Sequence, residues 1–150
     1  LVSKKSQNIH SIQDMTDKIL GAQAGSSGYL NFERQPELLK NRVKDQKANQ
    51  YQSFNEALID LKNDRIDALL IDRVYANYYL QSEGILGDYN VFSAGFESEA
   101  FAVGVRPADK TLLAALNQAF ISLYQEGKFQ EISQKWFGED VATSQVKNQE

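Results

Sequence analysis

Short apolar runs alternate with amphipathic stretches along the first half of the chain, the pattern of an α/β layer fold. Lys18 to Gln23 reads as a strand, and Ala24-Gly25-Ser26-Ser27-Gly28 as the turn that leaves it. A helix is predicted to start near Ser27 and run towards Leu39, with Pro36 kinking or breaking it. Gln46 to Tyr51 reads as a weaker strand. Ser53-Phe54-Asn55-Glu56 has the spacing of a capping box, and Phe54, Ala57, Leu58 and Leu61 follow on one helical face. Ile66 to Ile71 is almost continuously apolar and ends at Asp72, as expected of a strand covered on both faces. Val74 to Ser82 reads as another helix, with Tyr75, Tyr78 and Tyr79 in it.

The second half has a different texture. Gly84 to Gly95 is turn-rich and breaks any regular period. Phe101 to Val105 reads as a further strand, closed by Pro107. One helix then carries Leu112, Leu113, Leu116, Ala119, Phe120, Leu123 and Tyr124 on a single stripe and stops at Gly127. A second carries Phe129, Ile132 and Trp136 and stops at Gly138. Val141 to Glu150 is a polar tail expected to fray.

Composition narrows the function classes. The chain has 150 residues, 42 % apolar and 24 % charged, which is ordinary globular usage. Lys and Arg total 16 against 20 Asp and Glu, a net charge of -4, with no basic cluster to neutralise phosphates. Nucleic acid is therefore not an expected partner. No apolar run approaches the ~20 residues that cross a bilayer. With no Cys and a single histidine, His10, thiolate or multi-histidine metal sites and cysteine nucleophiles are excluded. Neither a metal nor a cofactor is expected.

Two places combine chemistry with position, because each follows a strand and opens a helix, where parallel α/β sheets bind ligands. The backbone amides of Gly25-Ser26-Ser27-Gly28 lie at a helix N-terminus and can hold an anion, with two hydroxyls as further donors. The same residues also suit a plain tight turn and N-cap. Asp72 is an N-cap by position and equally a carboxylate at the same edge of the sheet. Together they offer donors for a carboxylate and a carboxylate for an ammonium, which suits the zwitterionic head of a free α-amino acid. Glu97 and Glu99 are the other acid/base candidates. They read as solvated polar positions, and His10 as a surface residue.

These residues also resemble a family. Gln23-Ala24-Gly25-Ser26-Ser27-Gly28, then Ala57-Leu58-Ile59-Asp60-Leu61, then Arg65-Ile66-Asp67-Ala68-Leu69-Leu70-Ile71-Asp72 resemble the polar amino-acid-binding proteins of ABC importers. The closing stretch from Gly127 to Gly138, with Trp136 and Phe137, is similar to that family's C-terminal signature. The resemblance runs over about residues 1 to 140. It implies a periplasmic-binding-protein type 2 fold, two α/β lobes joined by two strands and closing on the ligand like a hinged clamp.

On that basis residues 1–105 are expected to form the second lobe, a three-layer sandwich, with Leu1 to Lys5 and Phe101 to Val105 as the hinge strands. Residues 106–140 would be helices that pack on the first lobe, whose N-terminal half is expected to lie outside this chain, and 141–150 a tail. The resemblance places Ser26 (hydroxyl and amide) and Ser27 (amide) on the ligand carboxylate and Asp72 on its ammonium. Gln23 and Ile71 would line the pocket, with Gly25 in the turn. The expected function is extracytoplasmic binding of a free amino acid, polar or basic, for delivery to ABC permease subunits, with no catalysis. Membrane association is expected only through an anchor outside these residues. The alternatives are an enzyme on the same fold, such as a dehydratase of an amino-acid precursor, and the ligand-sensing domain of a receptor. Without a first lobe to cover it, the apolar stripe on 112–124 is expected to dimerise or fold back on its own lobe.

Overall fold

The apolar run that ends at Asp72 forms the centre of a five-stranded sheet in the computed structural model, which describes residues 1–148. The elements of the first part are β1 (Val2–Lys4), β2 (Leu20–Gln23), α1 (Ser27–Arg34), β3 (Ala48–Tyr51) and α2 (Phe54–Lys62). They are followed by β4 (Ala68–Leu70), α3 (Arg73–Ser82) and β5 (Tyr89–Val91). The strand order is β3-β2-β4-β1-β5. Strands β3, β2 and β4 run parallel, and β1 is antiparallel to both β4 and β5.

Alternation of side chains explains why both faces are covered. Leu20, Ala22, Ala68 and Leu70 point into a core with Ile9, Met15, Phe32 and Leu39, on the α1 side. Val2, Leu69 and Ile71 enter a second core with Ala57, Leu58 and Leu61 of α2 and Ala76 and Leu80 of α3. Helix, sheet and helices thus form three layers, the sandwich that the family resemblance implies.

The chain divides into two compact units, Leu1–Glu97 and the residues from Ser98 onward. The second unit contains α4 (Lys110–Gln125), α5 (Lys128–Phe137) and α6 (Ser144–Asn148). Phe129 of α5 packs its ring against Phe120 and Tyr124 of α4, with centroids 6.3 and 6.1 Å apart. Gly127 and Gly138, both at positive φ, bound α5 as the sequence indicated. Leu112, Leu113, Leu123, Ile132 and Trp136 are exposed.

Several expectations need correction. Phe101 to Val105 forms no strand: Phe101 and Val103 are exposed, and no neighbouring strand takes up their backbone groups among the described residues. Strand β5 lies inside the turn-rich stretch from Gly84 to Gly95, because three residues paired only with distant β1 leave no period to detect. Helix α1 stops at Arg34 rather than near Leu39, since Gln35 precedes Pro36 and leaves the helical region. Leu39 is nonetheless fully buried. The tail carries α6, started by Thr143, whose carbonyl accepts from Val146 and Lys147, and tied by a Lys147–Asp140 ion pair of 3.0 Å. Residues 149 and 150 of that tail lie outside the described residues.

Candidate functional site

Three helices begin at one edge of the sheet, at the carboxyl ends of β3, β2 and β4, and each is capped by a side chain. Ser53 Oγ accepts from the Glu56 amide at 3.3 Å, Ser26 Oγ from Tyr29 at 3.1 Å, and Asp72 Oδ1 from Tyr75 at 2.7 Å. Because β2 and β4 are direct neighbours, with Ala22 opposite Leu70, the Ser26 turn and Asp72 leave adjacent strands about 5 Å apart. Helix N-termini concentrate partial positive charge, so this edge favours an anion close to a fixed carboxylate.

The β2–α1 turn is set by Gly25, whose φ of 71° suits glycine. Ser26 then has both donors committed inward: its amide reaches the Gln23 carbonyl at 3.2 Å and its hydroxyl the same oxygen at 2.9 Å. The amides of Ser27 and Gly28, in the first turn of α1, have no acceptor among the described residues, and the Ser27 hydroxyl is exposed. The helix start at Gly28 lies against β4, where a Cβ would stand in ordinary contact with the Leu70 side chain, 3.4 Å from Cγ. Asp72 is half-buried, and its Oδ2 has no hydrogen-bond partner among the described residues.

The sequence-derived candidates divide accordingly. Gly25, Ser26, Ser27 and Asp72 come together at adjacent strand ends. Gln23 ends β2 and donates from Nε2 to the Gln52 carbonyl at 3.1 Å, so its side chain lies across the β3 end. Ile71 is buried in the α2–α3 core. Gly28 belongs to the same anion-binding turn, and with the cap at Ser26 its amide is one of the open donors of the first helical turn. Asn55 and Tyr75, read only as helix and packing residues, meet across the first turns of α2 and α3, Tyr75 Oη donating to Asn55 Oδ1 at 3.3 Å. Glu97, Glu99 and His10 are exposed.

Beside the turn, Tyr51 at the end of β3 donates its hydroxyl to Asp60 Oδ2 at 2.9 Å. Burial, with the Asp60 carboxylate adding, pushes the Tyr51 phenol up to about 12. The Tyr51 hydroxyl, then Arg65, hold the Asp60 carboxyl below its usual value. No group of three or more His, Asp or Glu side chains able to hold a metal occurs among the described residues. No helix there is long and apolar enough to cross a membrane.

Comparison with known proteins agrees with this architecture. A family model described as bacterial extracellular solute-binding proteins, family 3, matches residues 1–139. The chain is 30 % identical over 140 residues to the ABC transporter arginine-binding protein 1 of Escherichia coli, covering 91 % of this chain and 54 % of that protein. Against the L-cystine-binding protein TcyJ of E. coli it is 30 % identical, covering 83 % and 45 %. It spans about half the length of these curated relatives. Among solved structures, a polar amino acid ABC uptake transporter substrate binding protein from Streptococcus thermophilus is 60 % identical, with a TM-score of 0.83 and coverage of 98 % and 56 %. An ABC uptake transporter substrate binding protein from Streptococcus pneumoniae with bound histidine is 71 % identical, with a TM-score of 0.77 and coverage of 95 % and 58 %. With its sheet, its capped edge and a match over nearly its whole length, the chain belongs to the bacterial extracellular solute-binding proteins, family 3.

Proposed function

We propose that this chain supplies one wall of an amino-acid-binding cleft in the substrate-binding component of an ABC importer. The observation that carries the reading is the pairing of open Ser27 and Gly28 amides with Asp72 at the ends of adjacent strands. The amides and the Ser27 hydroxyl receive the ligand carboxylate. Ser26 joins them when its hydroxyl turns away from the Gln23 carbonyl. Asp72 Oδ2 receives the ammonium while Oδ1 stays on the Tyr75 amide. Gln23 contacts the ligand beyond the head group, and Ile71 shapes the floor from the core side.

Residues 1–105 act in this reading as the second lobe with its hinge segments, and 106–140 as helices belonging to the first. The ligand is a free polar or basic amino acid. Histidine comes first, because the 71 % identical structure holds it, and arginine next, because a 30 % identical relative is an arginine-binding protein. Nothing in the arrangement calls for bond-making chemistry: the site binds, and ABC permease subunits take up the loaded protein.

The test is an amide-NMR titration with L-histidine, L-arginine, L-glutamine and L-leucine at millimolar concentration. Half a cleft can hold a ligand at only about -4 kcal/mol, which corresponds to millimolar affinity. Saturable shifts at Gly25 to Gly28 and at Asp72, with affinity reduced at least about tenfold by Asp72→Asn, are expected for one ligand class. Saturable binding that leaves those residues unmoved would overturn the assignment.

A further inference from the structure

An α-amino acid fixes the distance between its carboxylate and its ammonium covalently, so the two ends of its site must be held at a matching distance. In this fold the two ends start helices on opposite faces of the sheet, α1 on one and α3 on the other. A line of side chains joins them along the strand ends. Asp72 Oδ1 holds the Tyr75 amide at 2.7 Å, and the Tyr75 hydroxyl donates to Asn55 Oδ1 at 3.3 Å. The Tyr75 ring also packs on Phe54, with centroids 5.3 Å apart. Phe54 and Asn55 open α2, whose start is fixed by Glu56 Oε2 accepting from the Gln52 amide at 3.1 Å. The Gln52 carbonyl accepts from Gln23 Nε2 at 3.1 Å, and the Gln23 carbonyl accepts from the Ser26 hydroxyl at 2.9 Å. The line therefore runs from Asp72 to Ser26 through the β3–α2 turn.

We infer that Asn55 and Tyr75 are positioning residues: they brace Asp72 against the first turn of α2 and so fix its distance from the Ser27 and Gly28 amides. The inference rests on the binding reading above. Neither side chain is needed to touch the ligand. The Tyr75–Asn55 bond is long and exposed, so its loss leaves the fold intact and changes only how firmly the α3 start is held.

The experiment measures L-histidine affinity by NMR for the unaltered chain, Tyr75→Phe, Asn55→Ala, Asp72→Asn and the Tyr75→Phe/Asp72→Asn double variant. Tyr75→Phe keeps the ring on Phe54 and removes only the hydroxyl. The expected result is a roughly three- to tenfold loss of affinity for each of the first two variants, the range of one ordinary hydrogen bond. In the Asp72→Asn background Tyr75→Phe is expected to add no further loss, because its effect passes through the carboxylate. Without ligand, Asn55→Ala is expected to speed hydrogen exchange at the Tyr75 amide.

Unchanged affinity in Tyr75→Phe, while Asp72→Asn weakens binding, overturns the inference and leaves the binding reading standing. Losses that multiply in the double variant also overturn it. Should histidine binding ignore Asp72→Asn, the binding reading fails instead. The exchange rate then decides the bracing by itself: faster exchange supports it, and an unchanged rate overturns it.

Discussion

The Tyr75 amide donates to Asp72 Oδ1 at 2.7 Å, so one oxygen of this carboxylate ends a helix while the other has no partner among the described residues. The structural and the ligand-binding roles of Asp72 are therefore assigned to different atoms and can be separated. Asparagine caps helices about as well as aspartate, so Asp72→Asn is expected to change stability by less than about 0.5 kcal/mol. Its affinity for L-histidine is expected to fall at least about tenfold, or about 1.4 kcal/mol, because the ammonium loses its counter-charge. Thermal unfolding and NMR titration of the same samples check both halves.

Ser26 and Ser27 are neighbours with opposite expected phenotypes. Ser26→Ala removes the cap on the Tyr29 amide and is expected to cost about 1 kcal/mol of stability. Ser27→Ala removes an exposed hydroxyl at the first position of α1 and is expected to leave stability unchanged while weakening ligand binding. Denaturant unfolding curves, set beside titrations of the two variants, test the contrast.

At Gly25 the penalty for a side chain is purely conformational. A Cβ there meets nothing within 4 Å, but φ is +71°. Gly25→Ala is expected to destabilise by about 1–2 kcal/mol, and Gly25→Asn by less, because asparagine tolerates the left-handed region better. Chemical denaturation of the pair decides it.

Tyr51 and Asp60 make stability pH-dependent at both extremes. The Tyr51 phenol titrates at about 12 in the fold against 10.0 ordinarily, so folding favours its protonated form. That contribution is complete below pH 10.0 and is lost as pH rises through about 12. The Asp60 carboxyl is lowered, chiefly by the Tyr51 hydroxyl and then by Arg65, so its contribution is present above the ordinary carboxylate range and is lost as pH falls through the lowered value. Tyr51→Phe is expected to remove the most alkaline step from a tyrosinate absorbance titration and to raise the acid midpoint of unfolding.

The first unit's core and the exposed helical stripe should respond differently to truncation. Phe32 is fully buried between α1 and the sheet, and Phe32→Ala is expected to cost about 3–5 kcal/mol. Leu112→Ala, at an exposed position of α4, is expected to change stability by less than about 0.5 kcal/mol. Equilibrium denaturation of each variant measures the difference.

Elements governed by neighbours in the chain were legible in advance. The Ser53 cap on the Glu56 amide, the stop at Gly127 and the near-continuous apolar run before Asp72 each occupy a few consecutive residues and appear where expected, although Glu56 reaches back to the Gln52 amide rather than to that of Ser53. The strands expected from Lys18 and Ile66 start two residues later, at Leu20 and Ala68, because the Ile19 amide donates to the Asp67 carboxylate instead of joining the ladder. Phe101 to Val105 misled for the opposite reason: alternation can be written in a sequence without a partner strand to pair with.

The sequence by itself determined the alternation of elements, the helix caps and the residue types at the strand ends, since these follow from contacts three or four residues apart. Tertiary structure alone decided that β2 lies beside β4, that β1 and β5 close the far side of the sheet, and that Tyr75 meets Asn55. It also decided that the Ser26 hydroxyl points back to Gln23 while the Ser27 and Gly28 amides stay open. Those outcomes depend on which distant segments pair, and strands covered on both faces, such as the one through Leu69 and Leu70, read as continuous apolar runs that do not mark their neighbours.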